Sequence, residues 1–136
     1  MTFKTLSGRT KNLSLTSYLI DWDGESLSDF QASIKDFLYP YWKLDVVCEE
    51  LKVAGTRMSL DFYNVTRRIA IEVQGRQHQE YVPFLSGTRA GYRDQIKRDM
   101  SKARFCEINN ITLVEILPKD LPLTKEWFKR HYDITL

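Results

Sequence analysis

The chain of 136 residues has only two cysteines and no long apolar run. Cys48 and Cys106 are far apart and in no Cys-x-x-Cys spacing, so they fit buried thiols in a reducing compartment better than a disulfide or a zinc site. No apolar run approaches the ~20 residues that span a bilayer, and the polar N-terminus lacks a signal-peptide core. We therefore expect a cytoplasmic protein with no membrane partner.

The net charge of +2 is too small to indicate a nucleic-acid partner, but the basic residues are clustered. Residues 1–20 contain no acid and read as a basic N-terminal arm, leaving 21–136 as one domain. Residues 89–104 hold six basic residues against two acids. Clustered positive charge suits phosphate binding, and an ordinary solvated helix face is the alternative. The basic residues are Lys4, Arg9 and Lys11 in the arm, then Arg89, Arg93, Lys97, Arg98, Lys102 and Arg104.

Hydrophobic periodicity predicts an α/β fold, with one mixed sheet of about four strands flanked by helices. A helix capped by Ser26 or Ser28 should run to Tyr39, where Pro40 stops it. A second helix should run from Tyr92 to Asn109, where near-helical spacing puts Ile96, Met100 and Ala103, with Cys106 or Glu107, on one face. A last helix should hold Trp127 and Phe128. The predicted order is α-β-β-β-α-β-α, with strands at residues 44–48, 57–64, 69–74 and 111–116.

Two acidic residues are the strongest candidates for chemistry. Alternation along the strands puts Met58, Leu60 and Phe62 on one face of the second strand and Ser59, Asp61 and Tyr63 on the other. Glu72 shares a face with Gln74 on the next strand, inside an apolar run where an unpaired carboxylate would be costly. Together Asp61 and Glu72 could bind Mg²⁺, with Mn²⁺ as a substitute, or could simply form salt bridges.

Four polar residues could complete such a site. Gln74 could orient a water or phosphate oxygen, or be an ordinary strand-end residue. His78 could act as a general acid or base near neutral pH, although a lone histidine is more often inert. Asp99 and Lys102 are three positions apart on a predicted helix, where the residues alone favour a surface ion pair. Glu50 could add a ligand from the end of the first strand.

Three blocks of the chain resemble the PD-(D/E)XK nuclease superfamily, and within it the Vsr-like branch that includes phage-borne and homing endonucleases of the EDxHD type. The first runs from Glu49-Glu50 to the strand residue Asp61. The second, residues 71–78, reads IE-x-x-G-x-QH, and the third, residues 98–111, reads RD-x-x-K-x-x-x-C-x-x-N-x-I. The resemblance covers about residues 20–117.

This resemblance implies a restriction-endonuclease-like core, Mg²⁺-dependent hydrolysis and a DNA substrate. The implied active positions are Asp61, Glu72, His78, Asp99 and Lys102, with Glu49 or Glu50 as the upstream acid. The chain departs from the pattern twice. Gln74 stands where the wider superfamily has a lysine, and Gln31 stands where relatives often have a helix glutamate.

We therefore expect a phage-encoded endonuclease acting in the host cytoplasm. Asp61 and Glu72 would bind the metal, with the Val73 carbonyl and Glu50 as further ligands, and Lys102 would offset charge on the phosphate. Site-specific double-strand cutting would suggest a homodimer. The alternative is an inactive nuclease fold that binds DNA or a protein. The expected DNA-contacting residues are Arg76, Arg89, Arg93, Lys97, Arg98, Arg104 and Lys11.

Overall fold

The computed structural model describes residues 1–74 and 89–136, with the backbone alone for residues 89–92. A four-stranded sheet lies between helices, as predicted, in the expected order α-β-β-β-α-β-α. The helices are α1 (Asp29–Trp42), α2 (Arg89–Ile108) and α3 (Lys125–Tyr132). The sheet strands are β3 (Val47–Lys52), β4 (Ser59–Asn64), β5 (Ile69–Val73) and β6 (Thr112–Ile116), preceded by β1 (Thr2–Lys4) and β2 (Thr10–Asn12).

The sheet has the strand order β3-β4-β5-β6, with antiparallel pairing in its first three strands and a parallel β5–β6 pair. The parallel pair requires a crossover, and the chain between these strands includes α2. Ile69 and Ile71 of β5 belong to a cluster with α1 and α3, whereas Ala70 belongs to a cluster with β1 and α2. The core therefore has two layers, one on each face of the sheet.

Helix α1 begins where the sequence predicts but ends later. The Ser28 hydroxyl accepts a hydrogen bond from the Gln31 N–H at 3.1 Å, which caps the first turn. The predicted stop at Pro40 is wrong, because the helix continues to Trp42. Pro40 removes one N–H bond and crowds the preceding turn, but burial of the large Trp42 side chain at 0% exposure stabilises the added residues of the helix.

The first sheet strand also differs from its predicted position at residues 44–48. Leu44 is 92% exposed, and the strand begins at Val47 and continues to Lys52. Pairing with β4 extends through Lys52 opposite Ser59, so Glu49 and Glu50 lie within the strand rather than after it. Glu50 has a φ of 55°, an irregularity in an otherwise extended strand.

The predicted alternation of β4 is wrong at Phe62. Met58 and Leu60 pack with the cluster next to α2, but Phe62 packs with the opposite cluster, next to α1. The alternation breaks at Asp61, which lies opposite the irregular Glu50 between the paired positions Glu49–Phe62 and Leu51–Leu60. A period of two predicts facing only where both strands are regular.

The predicted basic arm contains a short hairpin of β1 and β2 that packs on the domain. Phe3 is 2% exposed, with its ring centroid 5.6 Å from that of Phe105 and 6.2 Å from that of Tyr63. The Asn109 side chain accepts a hydrogen bond from the Lys4 N–H at 2.8 Å and donates one to the Lys4 carbonyl at 3.0 Å. These contacts fix the hairpin against the C-terminal end of α2.

Helix α2 extends from Arg89 rather than from Tyr92, and its core contacts lie later than predicted. Ile96 is 37% exposed, Met100 is 67% exposed and Ala103 is exposed, so these three do not form the buried face. Phe105 and Cys106 are buried instead. The helix packs on the sheet through its C-terminal half, because that half lies next to β6 and the hairpin.

The last helix buries Trp127 and Phe128, as predicted. Within residues 1–74 and 89–136, no helix is both long and apolar enough to cross a membrane.

Candidate active site

Asp61 and Glu72 meet where β4 and β5 separate. The ladder between these strands ends at the pair Phe62–Ile71. Beyond it, the Asp61 N–H donates to Glu72 Oε2 at 2.9 Å, and the Val73 N–H donates to Asp61 Oδ2 at 2.7 Å. Each carboxylate thus accepts a hydrogen bond from the neighbouring strand, as a backbone carbonyl does within a regular ladder. The sequence-based expectation that the two acids adjoin one another agrees with this geometry.

The two carboxyl groups are mainly buried. Glu72 is 4% exposed. Burial is the largest cause that raises the pKa of Asp61 from 3.8 to about 7, and the charge of the neighbouring Glu72 and a hydrogen bond between the two side chains also contribute to the rise. The Val73 N–H and the Lys102 ammonium act in the opposite direction. Near neutral pH Asp61 therefore keeps a proton in a fraction of the molecules unless additional positive charge is present.

Lys102 supplies a cation from α2. Its Nζ lies 2.5 Å from Glu72 Oε1, and both side chains are largely buried. Asp99 lies one turn earlier on the same helix and is half-buried, and its Oδ1 accepts a hydrogen bond from Gln95 at 3.3 Å. The structure thus brings Lys102 to the acidic pair, as the resemblance implied and as the residues alone did not favour.

Gln74 directly follows β5, two positions after Glu72, and is 7% exposed. Its N–H donates to the Ile116 carbonyl at 2.8 Å, which continues the parallel ladder with β6. Its side-chain Oε1 is buried without a hydrogen-bond partner among the described residues. A buried acceptor of this kind is costly unless a water or ligand donates to it.

Glu49 and Glu50 belong to a separate polar network. Gln31 donates from Nε2 to Glu49 Oε2 at 2.9 Å and to Glu50 Oε1 at 3.0 Å. Ser59 donates to Glu50 Oε2 at 3.0 Å. Across the described ranges, no group of three or more His, Cys, Asp or Glu side chains is arranged to hold a metal ion, so Glu50 is not grouped with Asp61 and Glu72 as the prediction required.

Lys35 is a buried charged residue that the sequence analysis missed. Its Nζ lies 2.9 Å from Glu49 Oε1, and the two side chains are 3% and 12% exposed. It also donates to the Gly24 carbonyl at 3.1 Å. The signal was available, because Gln31, Ile34 and Lys35 share a face of α1 and a polar residue on an apolar face predicts a buried partner.

Cys48 and Cys106 are free and buried, as predicted. Burial raises the pKa of the Cys48 thiol to about 11 and that of the Cys106 thiol to about 12. Both remain protonated at neutral pH and are poor nucleophiles or metal ligands.

The remaining predicted site residues lie on the surface or outside the described ranges. His78 and Arg76 fall in residues 75–88, outside the described residues, and the side chain of Arg89 is also outside them. The Val73 N–H donates to Asp61, as given above, and its carbonyl stays a predicted metal ligand. Five predicted DNA-contacting residues are exposed: Lys11 on β2 and Arg93, Lys97, Arg98 and Arg104 on α2.

Comparison with known proteins gives three viral relatives, each described as an uncharacterized protein. Protein 307L of Invertebrate iridescent virus 6 is 33% identical over 73 residues, which is 52% of this chain and 37% of the relative. Protein 094L of Frog virus 3 is 43% identical over 63 residues, or 46% of this chain and 41% of the relative. Protein 033L of Invertebrate iridescent virus 3 is 28% identical over 64 residues, or 47% and 33%.

The aligned part of the chain thus covers between a third and about two fifths of each relative. No protein-family model and no solved structure matches the chain.

Proposed function

We propose that this protein is a metal-dependent endonuclease that hydrolyses DNA phosphodiester bonds. One observation carries the proposal: two buried acidic side chains adjoin each other at a strand end, and within the described residues one ammonium group, Lys102, contacts them. When both carboxyl groups are ionised, two carboxylates and one ammonium leave an excess of one negative charge, which a bound cation would offset.

The pair has the donor chemistry that a small divalent cation prefers. Mg²⁺ takes oxygen ligands and commonly uses one or two carboxylates, with waters and substrate phosphate completing its shell. Burial, and after it the charge of Glu72, raises the pKa of Asp61, and a bound cation would lower that pKa again. Asp61 and Glu72 would hold the ion, which would polarise the phosphate and lower the pKa of a bound water.

The protein groups around the pair have separable roles in this proposal. Lys102 neutralises Glu72 in the free protein and would offset charge that develops on the phosphate during hydrolysis. The unpartnered Gln74 Oε1 would accept a hydrogen bond from a water and so fix its orientation. His78 stays a predicted general acid or base.

Cleavage of supercoiled plasmid DNA tests the proposal. We expect Mg²⁺- or Mn²⁺-dependent nicking that is abolished by EDTA and by Asp61→Asn, a substitution of nearly equal size. Asp45→Asn is the matched control, since Asp45 pairs with Arg67 on a different part of the surface. Nicking by the Asp61→Asn variant at the wild-type rate would refute the assignment of the metal site.

The product also tests the number of copies. A lone chain with one site would nick, whereas two copies acting together would yield linear DNA. We propose the homodimer only for double-strand cleavage. The three viral relatives support a viral origin, and host cytoplasm is the proposed location.

The second candidate is a nuclease fold that binds DNA without hydrolysis. Gln74 favours it, because an amide can neither carry the charge nor transfer the proton of the lysine expected there. Calorimetric titration discriminates the two candidates. Mg²⁺ or Mn²⁺ binding that is lost in Glu72→Gln supports the enzyme, and salt-sensitive DNA binding without metal binding supports the module.

A further inference from the structure

The N-terminal half of α2 is exposed around most of its circumference. Six of the eight residues from 93 to 100 are exposed, and the other two, Gln95 and Asp99, are half-buried. At ~100° per residue, Gln95 and Asp99 lie on the same side of the helix as Lys102, which contacts Glu72. One face of α2 therefore turns toward the acidic pair, and the opposite face turns to solvent.

The outward face carries a line of positive charge. Arg93, Lys97 and Arg104 are separated by four and seven positions, which places them within about 40° of one another around the helix axis. Arg93 and Lys102 are nine positions apart, so they lie about 180° apart. The line is about 16 Å long at ~1.5 Å per residue. Glu107, also exposed, is the acid at its edge.

The hairpin extends this line at its C-terminal end. Lys4 and Arg104 line one cleft together with Ser7 and Gly8 of the β1–β2 turn. The hairpin is held against α2, because the Asn109 side chain is hydrogen-bonded to both the backbone N–H and the carbonyl of Lys4. We call the set Arg93, Lys97, Arg104 and Lys4 the outer basic stripe.

We propose that α2 lies in the major groove of double-stranded DNA and contacts the backbones of both strands. The Lys102 face would meet the strand that is cut, and the outer basic stripe would hold phosphates of the opposite strand. The major groove is about 12 Å wide and admits one α-helix, which is about 10 Å in diameter. This inference rests on the proposed function for its choice of DNA, and it makes the duplex the required substrate form.

Salt-dependent binding in EDTA, where no hydrolysis occurs, tests the inference. The variant is Arg93→Gln with Lys97→Gln and Arg104→Gln, and the probes are a fluorescent 24-base-pair duplex and one of its single strands. Each lost phosphate contact lowers the slope of log affinity against log salt by about 0.9, so we expect the duplex slope to fall by about 2.7. The single-strand slope should fall by less than about 1.

A charge-matched variant supplies the control. Lys119→Gln with Lys125→Gln and Arg130→Gln removes the same charge from exposed positions on and near α3, and its duplex slope should stay within about 0.5 of wild type. Equal losses in the two variants, equal effects on duplex and single strand, or no duplex binding at 50 mM salt would each overturn the inference.

A parallel plasmid assay separates this inference from the nuclease proposal. Suppose that the wild-type protein fails to cut with Mg²⁺, but the salt dependence of duplex binding falls as expected in the stripe variant. The major-groove proposal is then supported and the nuclease proposal is refuted. Suppose instead that the wild-type protein cuts, but the salt dependence of duplex binding is unchanged in the stripe variant. The nuclease proposal is then supported and the major-groove proposal is refuted.

Discussion

Replacing Asp61 with asparagine should make the protein more stable at alkaline pH in the absence of metal. Burial and the neighbouring Glu72 raise the pKa of Asp61 to about 7 in the folded protein, against 3.8 as its ordinary value. Between these pH values the folded state keeps a proton that the unfolded state has lost. Folding stability therefore falls as the pH rises through this window.

The size of the effect follows from the width of the window. About three pH units at ~1.4 kcal/mol each set an upper limit of about 4 kcal/mol. Local relaxation on ionisation reduces this value, and part of the window lies below pH 5, so we expect a loss of about 1–3 kcal/mol between pH 5 and pH 8. The asparagine carbonyl can still accept from the Val73 N–H, and its side-chain amide can donate to the Glu72 carboxylate, to which the Asp61 side chain is hydrogen-bonded, without adding charge.

Urea unfolding with and without the Asp61→Asn substitution, in EDTA at pH 5, 6, 7 and 8, measures the difference directly. The stability of the variant relative to the wild-type protein should rise between pH 5 and pH 7, and the difference at pH 8 should exceed that at pH 5 by about 1–3 kcal/mol. Curves that stay parallel across the range would refute the assigned proton, and so would a variant less stable at pH 8.

The same change at Asp45 should have the opposite sign. Asp45 Oδ2 accepts from Arg67 Nε at 2.8 Å and from Asn64 Nδ2 at 2.9 Å. Asp45→Asn removes a partly exposed ion pair and should destabilise the protein by up to about 1 kcal/mol at pH 8. The contrast distinguishes an aspartate with a cation partner from one beside another acid.

Three further substitutions test other parts of the structure. Lys102→Met leaves Glu72 buried without its cation and should lower the free energy of unfolding at pH 7 by about 2–4 kcal/mol in urea titrations, whereas Lys102→Arg should restore most of it. Lys35→Met should cost about 3 kcal/mol, and adding Glu49→Gln to it should cost less than the sum of the single changes in a double-mutant cycle. Phe3→Ala should cost about 3 kcal/mol by thermal or urea unfolding because its ring is buried, whereas a freely moving arm would give a change below about 0.5 kcal/mol.

The order of helices and strands could be predicted because each element carries its own periodic signal. Alternation along β5 identified the faces of Ile71 and Glu72, and Ser28 marked the start of α1. The proximity of Asp61 and Glu72 followed from antiparallel pairing of neighbouring strands. These inferences use contacts between residues that are close in sequence, where local pattern is informative.

The errors arose where distant parts of the chain decide the outcome. The hairpin has two strands of three residues, and only Phe3 is buried in them, so its docking on Phe105 leaves almost no local pattern. The irregularity at Glu50 and Asp61 puts Phe62 on the opposite face of the sheet from the one predicted. The sequence gives no sign of it, because Glu50 and not glycine has the positive φ. The sequence pattern predicts a buried face along the whole of α2, although its N-terminal half is exposed. Periodicity identifies a helix, but it cannot show which turns of that helix pack on a sheet.

The backbone geometry explains why the acidic pair can be both costly and well ordered. At the end of the β4–β5 ladder, the Asp61 carboxylate accepts from the Val73 N–H and the Glu72 carboxylate accepts from the Asp61 N–H. Each acid therefore has one oxygen fixed by the main chain before any ligand binds. A cation that binds this pair has to displace a proton and the Lys102 contact, but it does not have to order the side chains. The same two backbone bonds that hold like charges together thus lower the entropy cost of binding a metal there.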